Sequence, residues 1–107
     1  MTDFIQVMTT IGSKQDAQKV ANAIVGQRLA ACVQVIGPIT STYWWQDAME
    51  TAEEWLCLIK TRQDLYERVE QAIRENHPYD EPEILALPVL AGSKTYLQWI
   101  VSETTHS

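Results

Sequence analysis

Two long β-forming segments joined by a short polar stretch constrain this chain more than any other feature. Residues 30–36 and 39–45 read AACVQVI and ITSTYWW, and residues 49–61 read METAEEWLCLIKT. β-Branched and aromatic residues favour strands, and the polar residues 46–48 predict the turn between the two arms. Gly37-Pro38 predicts a bulge or bend in the first arm. Because each arm exceeds the average strand of about five or six residues, the sequence predicts a hairpin that projects beyond a small core.

The hairpin carries three of the four tryptophans, Trp44, Trp45 and Trp55. A projecting ribbon would leave this aromatic surface in water unless a partner covers it. The chain has 107 residues, which suits one domain over residues 1–107, and so small a domain buries a limited share of its surface. The pattern therefore predicts an oligomer.

The remaining elements are shorter and follow familiar start and stop signals. A strand is predicted over 4–9, and Ser13 with Asp16 gives the S-x-x-D capping pattern of a helix. Thr61 with Asp64 gives the same pattern before a second helix, which Pro78 ends. Two apolar stripes at helical spacing support these helices: Ala17, Val20, Ala21 and Ile24 in the first, and Leu65, Val69, Ala72 and Ile73 in the second.

A fourth strand is predicted over 83–90, and a last helix begins at Gly92-Ser93 with Tyr96, Leu97, Ile100 and Val101 inward. The order β-α-β-β-α-β-α predicts the α+β class. Its first six elements match a ferredoxin-like β-α-β-β-α-β sandwich, here with a long β-hairpin and an extra C-terminal helix. One face of such a sheet has no helical cover, which again favours association.

The charge and the apolar runs exclude several classes of partner. The net charge is −6, which argues against a groove for nucleic acid. No apolar run approaches the ~20 residues of a membrane helix, and no basic segment precedes an early apolar run as in a signal peptide. The sequence predicts a cytoplasmic protein with neither nucleic-acid nor membrane partners.

The two cysteines, Cys32 and Cys57, form neither a C-x-x-C pair nor a disulfide framework. If the turn centres on Asp47 and Ala48, Cys57 faces Pro38. Cys32 then lies roughly 20 Å away along the strand, which is beyond disulfide reach. Both apolar settings predict buried free thiols.

The segment 75–85, ENHPYDEPEIL, places His77 among Asp80, Glu81 and Glu83 between two prolines. One interpretation is a stiff connector that ends a helix and carries solvated acids. The other is a cation site, because imidazole and carboxylate groups bind zinc or copper. The spacing matches no established metal motif, and both interpretations stand on the sequence alone.

No motif of an enzyme is present. The chain lacks G-x-S-x-G, H-E-x-x-H and P-loop patterns. His77 beside an acid is the only acid–base candidate, and no nucleophile accompanies it. Lys60, at the end of a strand, is either an anion ligand or a solvated charge. The sequence predicts a protein that is not an enzyme.

Four stretches together resemble the CutA family of divalent-cation-tolerance proteins: LAACVQVIGPITSTYWW, EEWLCLIKT, HPYDEPEILALPV and YLQWI. The resemblance implies a ferredoxin-like subunit in a tight homotrimer, with long strands of neighbouring subunits joined edge to edge. It also implies a role in tolerance to copper and other divalent metals, without an established enzymatic reaction.

The resemblance gives two alternative sets of site residues. Copper ligands described in the family fall here on Thr9, Asn76 and His77, and only His77 is a good copper ligand. A weak, non-obligatory site for copper or zinc would then combine His77 with Asp80 and Glu81. The alternative is a signalling or adaptor trimer, similar to nitrogen-regulatory signal proteins, that binds a small metabolite or a protein tail in clefts between subunits. The cleft residues would be Cys32, Lys60, Tyr79 and Glu83.

Overall fold

The computed structural model describes residues 3–106 as an α+β fold with one antiparallel sheet. The strands run β2-β3-β1-β4 across the sheet, and each neighbouring pair is antiparallel. This is the ferredoxin-like arrangement that the element order predicts. In chain order the elements are β1 (Phe4–Ile11), α1 (Lys14–Gly26), β2 (Cys32–Trp45), β3 (Ala48–Arg62), a 3₁₀ turn (Gln63–Leu65), α2 (Tyr66–Asn76), β4 (Leu85–Pro88) and α3 (Lys94–Glu103).

The core lies between one face of the sheet and helices α1 and α2. β1 alternates buried and half-buried residues, as a strand with one covered face must. The Ser13 side chain accepts a hydrogen bond from the Asp16 backbone N–H, which confirms the predicted cap of α1. Both predicted helical stripes are buried in full.

The long hairpin is confirmed, with arms of 14 and 15 residues. Its turn consists of Gln46 and Asp47, whose φ angles of 50° and 64° are those of a two-residue turn with a left-handed backbone. The predicted register is wrong, because the turn lies earlier than the sequence suggested and β2 bulges between Ile36 and Ile39. Cys57 therefore pairs with Val35.

Both cysteines are free, as predicted, and Cys57 is buried. The predicted burial of Cys32 is wrong, since this residue is half-exposed. It begins β2, the edge strand, where no further strand covers it.

Three local features differ from the predictions. Thr61 does not cap α2: it lies within β3, and its hydroxyl donates to the Leu29 carbonyl at 2.6 Å. β4 spans four residues because residues 83 and 84 belong to the connector and Pro88 has no N–H to donate. Of the four α3 residues predicted to point inward, only Ile100 is buried, and the element that α3 contacts most is β3.

The other sheet face is mostly uncovered, and we call it the open face. The register places a row of apolar side chains there, of which three are exposed and three half-buried: Ile36, Leu85 and Leu87, and Met8, Leu56 and Leu58. None of the helices among residues 3–106 has the length and hydrophobicity needed to cross a bilayer.

Thr9 gives a first testable prediction, because its hydroxyl is fully buried without a hydrogen-bond partner in the described part of the chain. A buried unpaired hydroxyl costs free energy that an apolar group of the same shape avoids. We expect Thr9→Val to raise the free energy of unfolding by about 1 kcal/mol, measured by urea denaturation. The matched control is Thr61→Val, which removes the bond to Leu29 and should destabilise. A loss of stability in Thr9→Val would contradict this account.

Candidate functional site

His77 anchors the loop that follows α2. It lies just beyond the helix with extended backbone angles, which the following Pro78 favours. Its ring is buried. Nε2 lies 2.8 Å from the Thr10 carbonyl oxygen, and Nδ1 accepts the Tyr79 backbone N–H at 3.1 Å. A carbonyl only accepts, so the proton resides on Nε2, and both ring nitrogens are used in fixing the loop to the end of β1.

Tyr79 extends this anchorage to the hairpin. Its ring centre is 4.6 Å from that of His77, and its hydroxyl donates to Glu54 Oε2 at 2.9 Å. Gly12 permits this approach, because a Cβ there would lie 3.1 Å from the Tyr79 hydroxyl. Glu50, Glu53 and Glu54 lie close together near the polar turn, and such acids predict a solvated hairpin tip. This prediction is wrong for Glu54, which is only 5% exposed because the loop folds over this part of β3.

A groove with a volume of about 750 Å³ lies between the loop and the projecting hairpin. Thr10, Glu54 and residues 41–45 and 79–83 line it. In the hairpin register Tyr43 pairs with Glu50, Trp45 with Ala48 and Ile39 with Glu54. Side chains alternate along a strand, so Tyr43, Trp45 and Glu54 share one face, which continues the open face beyond the end of β1.

The structure does not bring the predicted metal ligands together. Both nitrogens of His77 are engaged. Asp80 and Glu81 are exposed, and Glu81 lies 4.0 Å from Arg74 Nη2. Within residues 3–106, no three His, Cys, Asp or Glu side chains converge on a common point suited to a metal ion.

Thr9 and Asn76, at the other two positions that match the family's copper ligands, also make contacts unrelated to metal binding. Thr9 points into the core, and Asn76 Nδ2 donates to the Ala72 carbonyl at 2.8 Å. The metal site stays a prediction.

The four predicted cleft residues form two separate pairs in one subunit. Tyr79 and Glu83 line the groove. Cys32 pairs with Lys60 at the far end of the open face, and the Lys60 ammonium donates to Gln6 Oε1 at 2.9 Å. Lys60 lies six positions along β3 from Glu54, which is about 20 Å at strand rise. A single cleft containing all four residues therefore requires a second subunit.

Glu54 and the groove face of the hairpin were not among the predicted site residues. The signal for them was present, because Glu54, Leu56 and Leu58 alternate along β3 and must share a face. What the sequence did not reveal is that the loop after α2 folds back over that face.

Two groups have a strongly raised pKa in the folded state. Burial raises the pKa of Tyr79 to about 12, and the hydrogen bond to Glu54 and its negative charge act in the same direction. Burial raises the pKa of the Cys57 thiol to about 11.

These shifts predict a loss of stability at alkaline pH. The unfolded Tyr79 loses its proton near its ordinary pKa of 10.0, whereas the folded residue keeps it to about 12. The stabilisation is thus complete below pH 10 and is lost as pH rises to 12. We expect the unfolding free energy of wild type to fall more steeply over this interval than that of Tyr79→Phe, in urea titrations at each pH. Parallel curves would contradict the prediction.

The chain is similar to one family along almost its whole length. A sequence model of the family described as "CutA1 divalent ion tolerance protein" matches residues 5–103. The divalent-cation tolerance protein CutA of Thermus thermophilus is 38% identical over 98 residues, which are 92% of this chain and 95% of that protein. Protein CutA, chloroplastic, of Arabidopsis thaliana is 41% identical over 94% of this chain. The chain spans 55% of that plant protein's length and 58% of a rice relative's.

Solved structures agree with the sequence comparison. The crystal structure of CutA1 from Oryza sativa has a TM-score of 0.95 at 37% identity, covering 99% of this chain and 97% of that one. The structure of the divalent cation tolerance protein from Thermus thermophilus has a TM-score of 0.93 at 36% identity, covering 95% and 99%. The name of the Thermus thermophilus protein describes tolerance to divalent cations.

Proposed function

This chain belongs to the CutA1 divalent ion tolerance family, and we propose that it acts in divalent-cation tolerance as a non-enzymatic homotrimer that binds such cations weakly. The observation that carries the trimer is the amount of apolar surface on one subunit. Trp44 is 74% exposed and Met49 69% exposed, and these two are cross-strand partners near the hairpin tip. A monomer would leave this pair and the open face in water.

Strand edges support the same proposal. β2 and β4 are the two edges of the sheet, and β2 is 14 residues long. An unpaired edge of that length invites pairing with another chain. Pairing between edges of neighbouring subunits would satisfy the backbone groups, and packing of three open faces would cover the apolar row.

Sedimentation equilibrium at micromolar concentration tests the assembly. We expect a mass of three times the 12.2 kDa of one chain. Leu87→Lys, on the open face, should weaken the assembly because it brings an unpaired charge into the contact. Gln18→Lys, on the exposed side of α1, is the matched control and should sediment like wild type. A folded wild-type monomer would contradict the proposed trimer.

For the cation we propose the exposed carboxylates Asp80 and Glu81, with His77 as a third ligand. Recruiting His77 has a structural cost, since the cation must displace either the Tyr79 N–H from Nδ1 or the proton that Nε2 donates to Thr10. Two carboxylates next to a histidine whose ring nitrogens already form hydrogen bonds favour weak binding of a cation rather than a tightly bound metal ion.

Calorimetric titration of copper or zinc tests the site. The double variant Asp80→Asn, Glu81→Gln should bind more weakly than wild type. The control, Asp64→Asn with Glu67→Gln, removes two other exposed acids and should bind like wild type. Identical isotherms for wild type and the Asp80/Glu81 variant would remove these residues from the site.

A second candidate function is a signalling or adaptor trimer that binds a small metabolite or a protein tail between subunits. In one chain the Cys32–Lys60 pair lies far from Tyr79 and Glu83. A ligand that contacts both pairs must therefore bind between two subunits, as this function requires. Thermal-shift screening distinguishes the two functions: a response to metals alone would contradict this one. The cytoplasmic location remains a proposal, to be tested by fractionation.

A further inference from the structure

We propose that Arg74, in the last turn of α2, acts as an internal counter-ion that lowers the affinity of Asp80 and Glu81 for divalent cations. This role rests on the cation site proposed above and adds the residue that sets its affinity. The structure places Arg74 against Glu81, one of the two proposed carboxylate ligands.

Arg74 bridges an acid of its own helix and an acid of the loop. Its Nε lies 3.3 Å from Glu70 Oε2, one helical turn earlier, where two side chains of a helix are neighbours. Its Nη2 lies 4.0 Å from Glu81 Oε2. Glu70 therefore holds the guanidinium group at a position from which Nη2 reaches the loop.

The loop that carries Glu81 is fixed independently of this ion pair. The hydrogen bonds of the His77 ring and of the Tyr79 hydroxyl tie its first residues to the sheet. Pro82 restricts the backbone directly after Glu81. The loop backbone therefore keeps the Glu81 carboxylate within reach of Arg74 when a cation arrives.

The charge of Arg74 and a cation at Glu81 oppose each other. A divalent ion binds a carboxylate oxygen at about 2–2.6 Å, so with these side-chain positions it would lie at most about 6.6 Å from Arg74 Nη2. Like charges at this distance repel, and Glu81 must also give up part of its ion pair. Both side chains are in contact with water, 47% and 75% exposed, so screening limits the effect to a few-fold in affinity.

A purely structural ion pair would have the opposite consequence. If Arg74 held the loop in place, its loss would loosen Asp80 and Glu81 and weaken cation binding. His77 and Tyr79 already fix the loop without Arg74, so we expect its removal to strengthen binding instead. The sign of the change therefore separates the two roles.

Calorimetric titration of the full chain with zinc chloride tests this role. We expect Arg74→Gln to bind zinc about two- to fivefold more tightly than wild type, and Arg74→Lys, which keeps the charge, to bind like wild type. The matched control is Arg28→Gln, because Arg28 is also paired with an acid, Glu103 at 3.6 Å, and its loss changes the net charge by the same amount. This control should bind like wild type. The gain in Arg74→Gln should shrink as sodium chloride is raised, since salt screens exposed charges.

The double variant Asp80→Asn, Glu81→Gln separates the role of Arg74 from the cation site itself. Adding Arg74→Gln to it should give no gain, since the carboxylates that Arg74 opposes are absent. A gain that persists in this background, an equal gain in Arg28→Gln, or unchanged or weaker binding by Arg74→Gln would overturn the role of Arg74 and leave the proposed site intact. Absence of zinc binding by both wild type and Arg74→Gln would overturn the site, and the role of Arg74 with it.

Discussion

Gly37→Ala is expected to destabilise the protein by about 2–3 kcal/mol, the range for an added group in a packed site. A Cβ at position 37 would overlap Trp55 Cδ1 and lie 2.7 Å from Cγ and 2.8 Å from Nε1. Trp55 packs against the core cluster and pairs with Ile11 across the sheet, so the indole has little freedom to move aside. The backbone of β2 must shift instead.

Gly26→Ala is the matched control, because a Cβ at that position meets nothing within 4 Å. Gly26 ends α1, where alanine is the better helix former by up to about 1 kcal/mol. We therefore expect the two Gly→Ala changes to move the urea midpoint in opposite directions. Equal effects in the two variants would show that the indole does not restrict position 37.

The consequence extends beyond stability, because Gly37 lies in the bulge between Ile36 and Ile39. The bulge sets which side chains of the outer hairpin share the face of Glu54. Loss of the close packing at Trp55 should therefore also disturb the groove that Glu54 lines.

Local patterns in the sequence were enough to predict the elements and their order. The apolar stripes of α1 and α2 and the cap at Ser13 follow from local chemistry, and the structure confirms them. The register of the hairpin was not predictable from these patterns. It depends on a turn of Gln46 and Asp47, of which only Asp47 is among the residues that favour left-handed backbone angles, and on a bulge whose size the sequence does not give.

The loop after α2 shows why the candidate site was only partly predictable. The two prolines and the end of the helix at Asn76 follow from local chemistry. The partners of His77 and Tyr79 do not: the Thr10 carbonyl and the Glu54 carboxylate are distant in sequence and come close only when β1 and β3 are paired. The neighbouring acids in the sequence make this histidine resemble a metal ligand. In the tertiary structure both of its ring nitrogens form hydrogen bonds instead.

His77→Ala is expected to lower the free energy of unfolding by about 2–4 kcal/mol, from two lost hydrogen bonds and the cavity left by a buried ring. The Thr10 carbonyl and the Tyr79 N–H lose their partner, and the loop is released from β1. The chain has one other histidine, His106, whose exposed ring lies 3.0 Å from Arg62 Nη1. His106→Ala should change stability by no more than about 0.5 kcal/mol.

Urea denaturation of metal-free protein separates this structural role from metal binding. If hydrogen bonds fix the loop, wild type keeps its full stability after chelation, and His77→Ala is destabilised with or without metal. If a bound cation fixes it, chelation should destabilise wild type as much as the substitution does, and the hydrogen-bonded role would be wrong. Because we expect the first result, loss of cation binding in His77→Ala would not by itself identify a ligand. Asp80→Asn with Glu81→Gln is the sharper test of the metal site, since neither side chain is buried.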